Sequence, residues 1–371
     1  MKVLFACLGA HGHTYPMLPL AAAVRRRGHE VAFATTTEFA PAVRRHGLRH
    51  VPAGIAPHAP LGDRPPAETP RDVITALFTS TLPRRNHADL SPFLRRWRPD
   101  LVVREVANLG AALAARQAGV PGVCHGYGGM WRDEDLPAGW EPTLALAAEL
   151  GVDLPADDPL VHGDPYLDVC PPSLQNPGFL ARHDVLPLRP VPFAEPGELP
   201  AWVGEHPLVY LTLGTAYGHA GVLRAAITGL AALTGVRVLV AAGPNVAVAE
   251  LGAVPDHVTV LPWVPQAALL AHADLVVHHG GSGTTLGACG AGVPQLVLPQ
   301  GADQFGNAAA VTARGLGDRL VGGDVTADAI ADRARRLLAD PAVRDAARVV
   351  AAEVAAMPSP DDVAALLPGL A

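Results

Sequence analysis

The stretch Leu275-Val276-Val277-His278-His279-Gly280-Gly281-Ser282-Gly283-Thr284-Thr285 constrains this chain more than any other. A short apolar run ending in two histidines reads as a strand buried in a parallel sheet. The glycines after it remove side chains where the backbone must turn, and Thr284 onward reads as a helix stopped by Gly290 and Gly292. Strand, glycine turn and helix in that order present main-chain N–H groups at the positive end of a helix dipole, which is an anion site. Ser282, Thr284 and Thr285 add hydroxyl donors, and His279 stands at the strand tip facing the same spot. The arrangement predicts a diphosphate pocket. Two common pockets of that kind are excluded. Leu286 stands where a dinucleotide G-x-G-x-x-G fingerprint needs its last glycine, and no lysine follows the glycines as in a Walker A loop.

The rest of the chain supplies the sheet that such a turn needs. Residues 2–52 alternate apolar strand and amphipathic helix, and 100–127 continue the pattern. Residues 72–97 read as helical, broken near Pro83. Regularity fades over 128–200 under eleven prolines from Pro155 to Pro200, and the strand–helix rhythm restarts at Pro207. That rhythm predicts an α/β protein built on doubly wound parallel sheets. At 371 residues, with 49% hydrophobic and 17% charged residues, two globular domains with their own cores are expected. The formal charge of −7 argues against a nucleic-acid partner. Cys7, Cys124, Cys170 and Cys289 show no C-x-x-C spacing and read as buried hydrophobes in a reducing compartment. The first strand runs straight into a loop with no cleavage site, and no apolar stretch is long enough to span a bilayer. The expected location is cytoplasmic.

Four short patterns surround the glycine turn: Trp263-Val264-Pro265-Gln266, His279-Gly280-Gly281-Ser282-Gly283-Thr284, Gly292-Val293-Pro294 and Asp303-Gln304. In this order and spacing they resemble the donor-binding signature of family 1 glycosyltransferases. The resemblance extends over nearly the whole chain, is strongest at 1–36 and 207–318, and points to actinobacterial enzymes acting on antibiotics and other natural products. It implies the GT-B architecture, two doubly wound Rossmann-like domains facing across a cleft. An acceptor-binding domain is expected over 1–190, a linker over 186–205 and a nucleotide-sugar-binding domain over 205–357. The tail 358–371 is expected to pack back on the first domain.

The resemblance also distributes roles. Gly12-His13-Thr14-Tyr15-Pro16 matches the family's G-H-x-x-P, which makes His13 the expected catalytic base. An acidic partner is expected at the end of the strand beginning Pro99-Asp100-Leu101-Val102; Glu105 occupies that place where the family carries aspartate, and a purely structural role stays open. Arg104 beside it is an ion-pair partner or an acceptor contact. Thr215, His279, Gly281, Ser282, Gly283 and Thr284 are expected around the donor diphosphate. Trp263 would stack on the nucleobase, with Val264 pairing its edge through the backbone; core packing is the other reading of Trp263. Asp303 and Gln304 would bind the sugar, an N-cap role for Asp303 being compatible. His11, His125 and Tyr127 are candidates for the acceptor side, with His11 alternatively bracing its loop and Tyr127 alternatively packing in the core.

The expected reaction is inverting, metal-independent transfer of a sugar, often a deoxysugar, from a dTDP- or UDP-sugar to a hydroxyl of a small-molecule aglycone such as a polyketide or glycopeptide. No cofactor is expected beyond the nucleotide sugar, and a homodimer is an allowed assembly. The acidic run Asp133-Glu134-Asp135 formally matches a metal-binding D-x-D but reads as a solvated loop. The alternative is a catalytically silent nucleotide-sugar binder or auxiliary partner.

Overall fold

The computed structural model describes residues 1–57, 75–131, 140–155, 158, 160–192, 196–215 and 219–371. Asp133–Asp135 lies outside the described residues. The chain divides into two units: Met1–Val169 with Asn176–Leu188 and Pro358–Ala371, and Cys170–Gln175 with Arg189–Met357.

The first unit is a seven-stranded parallel sheet of β1 Lys2–Ala6, β2 Glu30–Thr35, β3 Arg49–Pro52, β4 Leu101–Glu105, β5 Gly122–His125, β6 Tyr166–Asp168 and β7 Val185–Pro187, in spatial order β3-β2-β1-β4-β5-β6-β7. Helices α1 His11–Thr14, α2 Leu18–Arg26, α3 Ala40–Arg45, α4 Leu82–Trp97, α5 Leu109–Gln117, α6 Glu141–Glu149 and α7 Pro177–Arg182 connect the strands. One face of the sheet, through Leu4, Ala6, Ala32 and Val102, packs against Leu90, Phe93, Leu94 and Trp97 of α4 and Ala111, Ala114 and Ala115 of α5. Each fully buried aliphatic side chain of this kind contributes about 1.5–3 kcal/mol.

Two local expectations change. The break near Pro83 is not a break in α4: Pro83 lies in its first turn, where a missing N–H costs little. The irregularity falls just before it, over Leu77–Thr81, in a wider helical turn. The carbonyl of Thr79, within that turn, accepts the Thr143 hydroxyl at 2.7 Å. The proline-rich region also holds β6, α7 and β7, whose short lengths hide them from periodicity.

The second unit is a six-stranded parallel sheet of β8 Leu208–Thr212, β9 Arg237–Ala241, β10 Val258–Leu261, β11 Leu275–His278, β12 Gln295–Val297 and β13 Gly317–Arg319, in order β10-β9-β8-β11-β12-β13. Its principal helices are α8 Ala220–Ala231, α9 Gln266–Leu270, α10 Ser282–Ala291, α11 Gln304–Ala313, α12 Ala327–Ala339 and α13 Pro341–Ala356. Alternate strand residues face opposite ways. Val209, Leu211, Val238, Val240, Leu275 and Val277 pack with α8 and α12, whereas Leu208, Tyr210, Leu239 and Val276 pack with α9 and α10. A sheet covered on both faces is what its unbroken apolar strands require. Gly292, with φ of 69°, ends α10, while Gly290 lies inside the helix.

The C-terminal segment belongs to the first unit. Ser359 and Asp362 form a reciprocal capping box, and the helix Pro360–Leu366 buries Val363 and Ala364 against α2. No helix among the described residues is long and apolar enough to cross a membrane.

Candidate active site

In each sheet the strand order reverses direction at one place, between β1 and β4 in the first unit and between β8 and β11 in the second. The loops leaving neighbouring strands diverge there, which opens a crevice at their carboxyl ends. The sequence-nominated residues gather at these two points.

In the first unit, α1 follows β1 after Gly9 and Ala10, and Glu105 is the last residue of β4. The β1–β4 pairing brings them together: Nδ1 of His13 lies 3.1 Å from Oε2 of Glu105. Glu105 is fully buried, and its Oε1 accepts the Ala107 N–H at 2.6 Å. One oxygen therefore anchors the carboxylate and the other meets the imidazole. The His13 side chain keeps 18% exposure. A carboxylate at this distance favours the tautomer with Nδ1 protonated, which would leave Nε2 as the basic atom.

The remaining first-unit candidates separate. The His11 ring stacks on Tyr15 at 5.5 Å and meets the edge of Phe39 at 5.1 Å, so it braces the loop, one of the two roles open to it. Tyr127 packs on His13 with ring centroids 4.9 Å apart. His125 is corrected: it is wholly buried, because the last residue of β5 turns inward, and offers no surface to an acceptor. Its ring bonds the Gly126 carbonyl at 2.5 Å, and burial lowers its pKa to about 4. Arg104 is likewise buried. It pairs with Asp164 at 3.1 Å and donates to the carbonyls of Leu160 and Val161, tying a distant loop to β4.

In the second unit the imidazole of His279 lies in a slot between two glycines. A Cβ on Gly214 would come within 2.5 Å of its Cε1, and one on Gly281 within 2.4 Å of its Nε2. Burial lowers the His279 pKa to about 4 although part of the residue remains accessible, so the ring is neutral at pH 7. His278 points the other way, into the core. Its Nδ1 accepts the Gly280 N–H at 3.1 Å and its Nε2 meets Gln295 at 3.0 Å, so it pins the turn that presents His279.

Helix α10 begins at Ser282 with Gly281 as N-cap, which directs its first N–H groups into the crevice. The expected hydroxyl donors are largely engaged. Ser282 donates to Asp303 at 2.6 Å, Thr284 to the Gln266 amide oxygen at 3.3 Å, and Thr285 to the Gly281 carbonyl at 3.1 Å. First-turn side chains reach neighbouring groups readily, so an anion here meets mainly main-chain N–H. Thr215 follows β8, and its carbonyl accepts from Asn245 at 3.1 Å.

Asp303 stands at the N-cap of α11 without capping it; its Oδ2 accepts from Ser282 and from Asn307 at 3.0 Å. Gln304 is buried, and its carbonyl oxygen accepts the N–H groups of Gln300 and Gly301 at 2.8 and 3.1 Å. Trp263 is 39% exposed, which sets aside core packing, while Val264 beside it is buried. Sequence reasoning passed over Asn245, Asn307 and Gln295. Asn307 was findable, since it lies one helical turn from Asp303.

Four imidazoles set a pH dependence. The pKa values of His125, His278 and His279 are lowered to about 4, 3 and 4, and that of buried His162 is lowered well below its ordinary value, against about 6.5 in an unfolded chain. Below pH about 6.5 the unfolded chain binds more protons, so stability falls on acidification by about 1.4 kcal/mol per pH unit per group. The thermal midpoint is expected to fall between pH 7 and pH 5. A constant midpoint would show that these rings are already charged in the fold.

Comparison with known proteins identifies the family. Residues 230–370 match the erythromycin biosynthesis protein CIII-like C-terminal domain, 71–214 the corresponding N-terminal domain, and 3–126 the glycosyltransferase family 28 N-terminal domain. The chain is 35% identical to the elloramycin glycosyltransferase ElmGT of Streptomyces olivaceus, over 99% of this chain and 97% of that one. Among solved structures it is similar to CalG4, the calicheamicin glycosyltransferase, with a TM-score of 0.84 at 26% identity, covering 100% of this chain and 98% of that one. It is also similar to the glycosyltransferase VinC in complex with dTDP, with a TM-score of 0.79 at 29% identity, covering 100% and 99%.

Proposed function

The chain belongs to the erythromycin CIII-like glycosyltransferases of GT-B fold, and from that premise we propose that it transfers a deoxysugar from a dTDP-sugar to a hydroxyl of an antibiotic aglycone, with inversion and without a metal. The observation that carries this reading is the 3.1 Å approach of His13 Nδ1 to a buried Glu105 at a strand-end crevice. His13 Nε2 takes the proton of the acceptor hydroxyl as that oxygen bonds to the anomeric carbon. The bond from that carbon to the diphosphate oxygen breaks, and its electron pair leaves with the nucleotide. Glu105 stabilises the imidazolium so formed.

In the second unit the leaving diphosphate is received by the first N–H groups of α10, by His279 and by the Thr215 turn, with Trp263 against the base and Asp303 and Gln304 towards the sugar. Fixed dipoles aimed at a developing charge lower the barrier without reorganisation. The thymidine preference rests on the relative solved with dTDP, and the antibiotic aglycone on relatives such as the elloramycin enzyme.

The test compares wild type with His13→Ala. Titration calorimetry with dTDP and UDP measures binding; dTDP-rhamnose and dTDP-glucose with umbelliferone and aromatic polyketide aglycones measure transfer. Unchanged dTDP affinity with turnover lower by about three orders of magnitude or more is expected. Equal, negligible turnover in both proteins alongside tight dTDP binding would favour a silent nucleotide-sugar binder.

A further inference from the structure

Asn307 is buried one helical turn into α11, and its amide joins two ends of the second unit's site. Its Nδ2 donates to the Gly280 carbonyl at 2.8 Å and lies 3.0 Å from Asp303 Oδ2 and 3.1 Å from the Ser282 hydroxyl. An amide carries two N–H bonds. One serves the glycine turn. The other is shared between Asp303 and Ser282, whose own hydroxyl donates to the same Asp303 oxygen at 2.6 Å. The turn that opens α10 and the residue that opens α11 are thereby bound into one network.

The turn has further ties. The Gly280 N–H donates to His278 at 3.1 Å, and a Cβ on Gly280 would lie 2.8 Å from Val297 Cγ1 and 2.9 Å from the Gln304 main-chain oxygen. It is therefore seated against β12 and α11. Asp303 ends a short loop in which Ala302 has φ of 53°, a left-handed conformation unfavourable to any residue with a Cβ. Such a shape persists only where surrounding groups hold it. Gln304 holds the loop at the N–H groups of Gln300 and Gly301, and Asn307 with Ser282 holds it at Asp303.

We propose that Asn307 is a positioning residue that fixes the Asp303 carboxylate relative to the glycine turn, so that the sugar and diphosphate ends of the donor are received at one set separation. The proposal rests on the donor-site reading given above. Asn307 acts through Asp303, and supporting groups of this kind decide whether a site that is present is also well placed.

Titration calorimetry with dTDP, dTDP-rhamnose and dTDP-glucose on wild type, Asn307→Ala and Asn307→Asp, beside each thermal midpoint, tests this. Asn307→Ala is expected to bind dTDP within about threefold of wild type but the sugar nucleotides about tenfold or more weakly, because the sugar end alone loses its fixed carboxylate. Asn307→Asp keeps the shape and sets a second carboxylate against Asp303. Two carboxylates so close do not both ionise freely, so the pair takes up a proton as pH falls. Its sugar-nucleotide affinity is expected about tenfold below wild type at about pH 8, and to recover about threefold or more at about pH 6, where the shared proton restores a bond. Wild type should change little over that range. A merely structural Asn307 would lower all three affinities in step with the midpoint and give no recovery in Asn307→Asp; either result overturns the proposal. If Asn307→Ala does not fold, the pH comparison in Asn307→Asp decides. Wild type binding none of the three ligands would sink the functional reading itself. Wild type binding dTDP but neither sugar nucleotide would leave that site without a sugar end and defeat the proposal. Wild type binding all three, with uniform losses in Asn307→Ala, would leave the functional reading standing and the proposal refuted.

Discussion

Glu105→Gln is expected to lower turnover by about four orders of magnitude while leaving dTDP affinity and the thermal midpoint close to wild type. The amide keeps the shape of the carboxylate and an oxygen for the Ala107 N–H. What it loses is the charge facing His13 Nδ1 across 3.1 Å. With an amide N–H there, the imidazole turns its unprotonated nitrogen to residue 105 and carries its proton on Nε2, where the acceptor hydroxyl has to deliver one. A carboxylate-to-amide change beneath a catalytic histidine elsewhere costs about 10⁴-fold for this reason. Initial rates with saturating donor, set beside calorimetric dTDP binding, check it. Turnover within tenfold of wild type would make Glu105 structural.

Glu105→Asp asks a finer question, since the resemblance leads one to expect aspartate at this place. The glutamate uses its length: one oxygen reaches the N–H two residues on while the other reaches His13. A side chain shorter by one methylene cannot span both, so a loss of about 100-fold is expected, measurable in the same assay.

The doubly wound class was legible because buried parallel strands are unbroken apolar runs, as in β1, β4, β8 and β11. The three-residue strands β6, β7 and β13 were not, because so few residues carry no period and pairing with neighbours decides their state. At the site, the family resemblance nominated His13 after β1 and Glu105 at the end of β4 but could not tell which way side chains turn. His125 ends β5 as Glu105 ends β4, and the two are buried register partners, yet Glu105 meets His13 while the His125 ring bonds the Gly126 carbonyl. Of the two adjacent histidines, His278 ends β11 and turns to the core, while His279, one residue past the strand, faces the crevice. The hydroxyls of Ser282 and Thr284 looked like phosphate donors because their acceptors, Asp303 and Gln266, lie 21 and 18 residues away in sequence.

The glycine turn supports the second large prediction. Gly281→Ala is expected to lower dTDP affinity about 100-fold, or about 2.7 kcal/mol. The backbone does not demand glycine there, since φ of −62° and ψ of 141° suit any residue. The obstacle is the imidazole, which a new methyl group would meet at 2.4 Å from Nε2 and 3.0 Å from Cε1. Gly214 also lies close to the Cε1–Nε2 edge of the ring, so the ring or the turn must move to admit the methyl group. Gly283 provides the control. A Cβ there meets nothing within 4 Å, so Gly283→Ala is expected to hold or raise the thermal midpoint and to stay within about tenfold in affinity. A double-mutant cycle then isolates the cause. With His279→Ala the slot is empty, and adding Gly281→Ala should cost little more. If the two losses add in full, the glycine is serving the ligand directly, through close approach of its main chain, and the imidazole slot is not the reason for it.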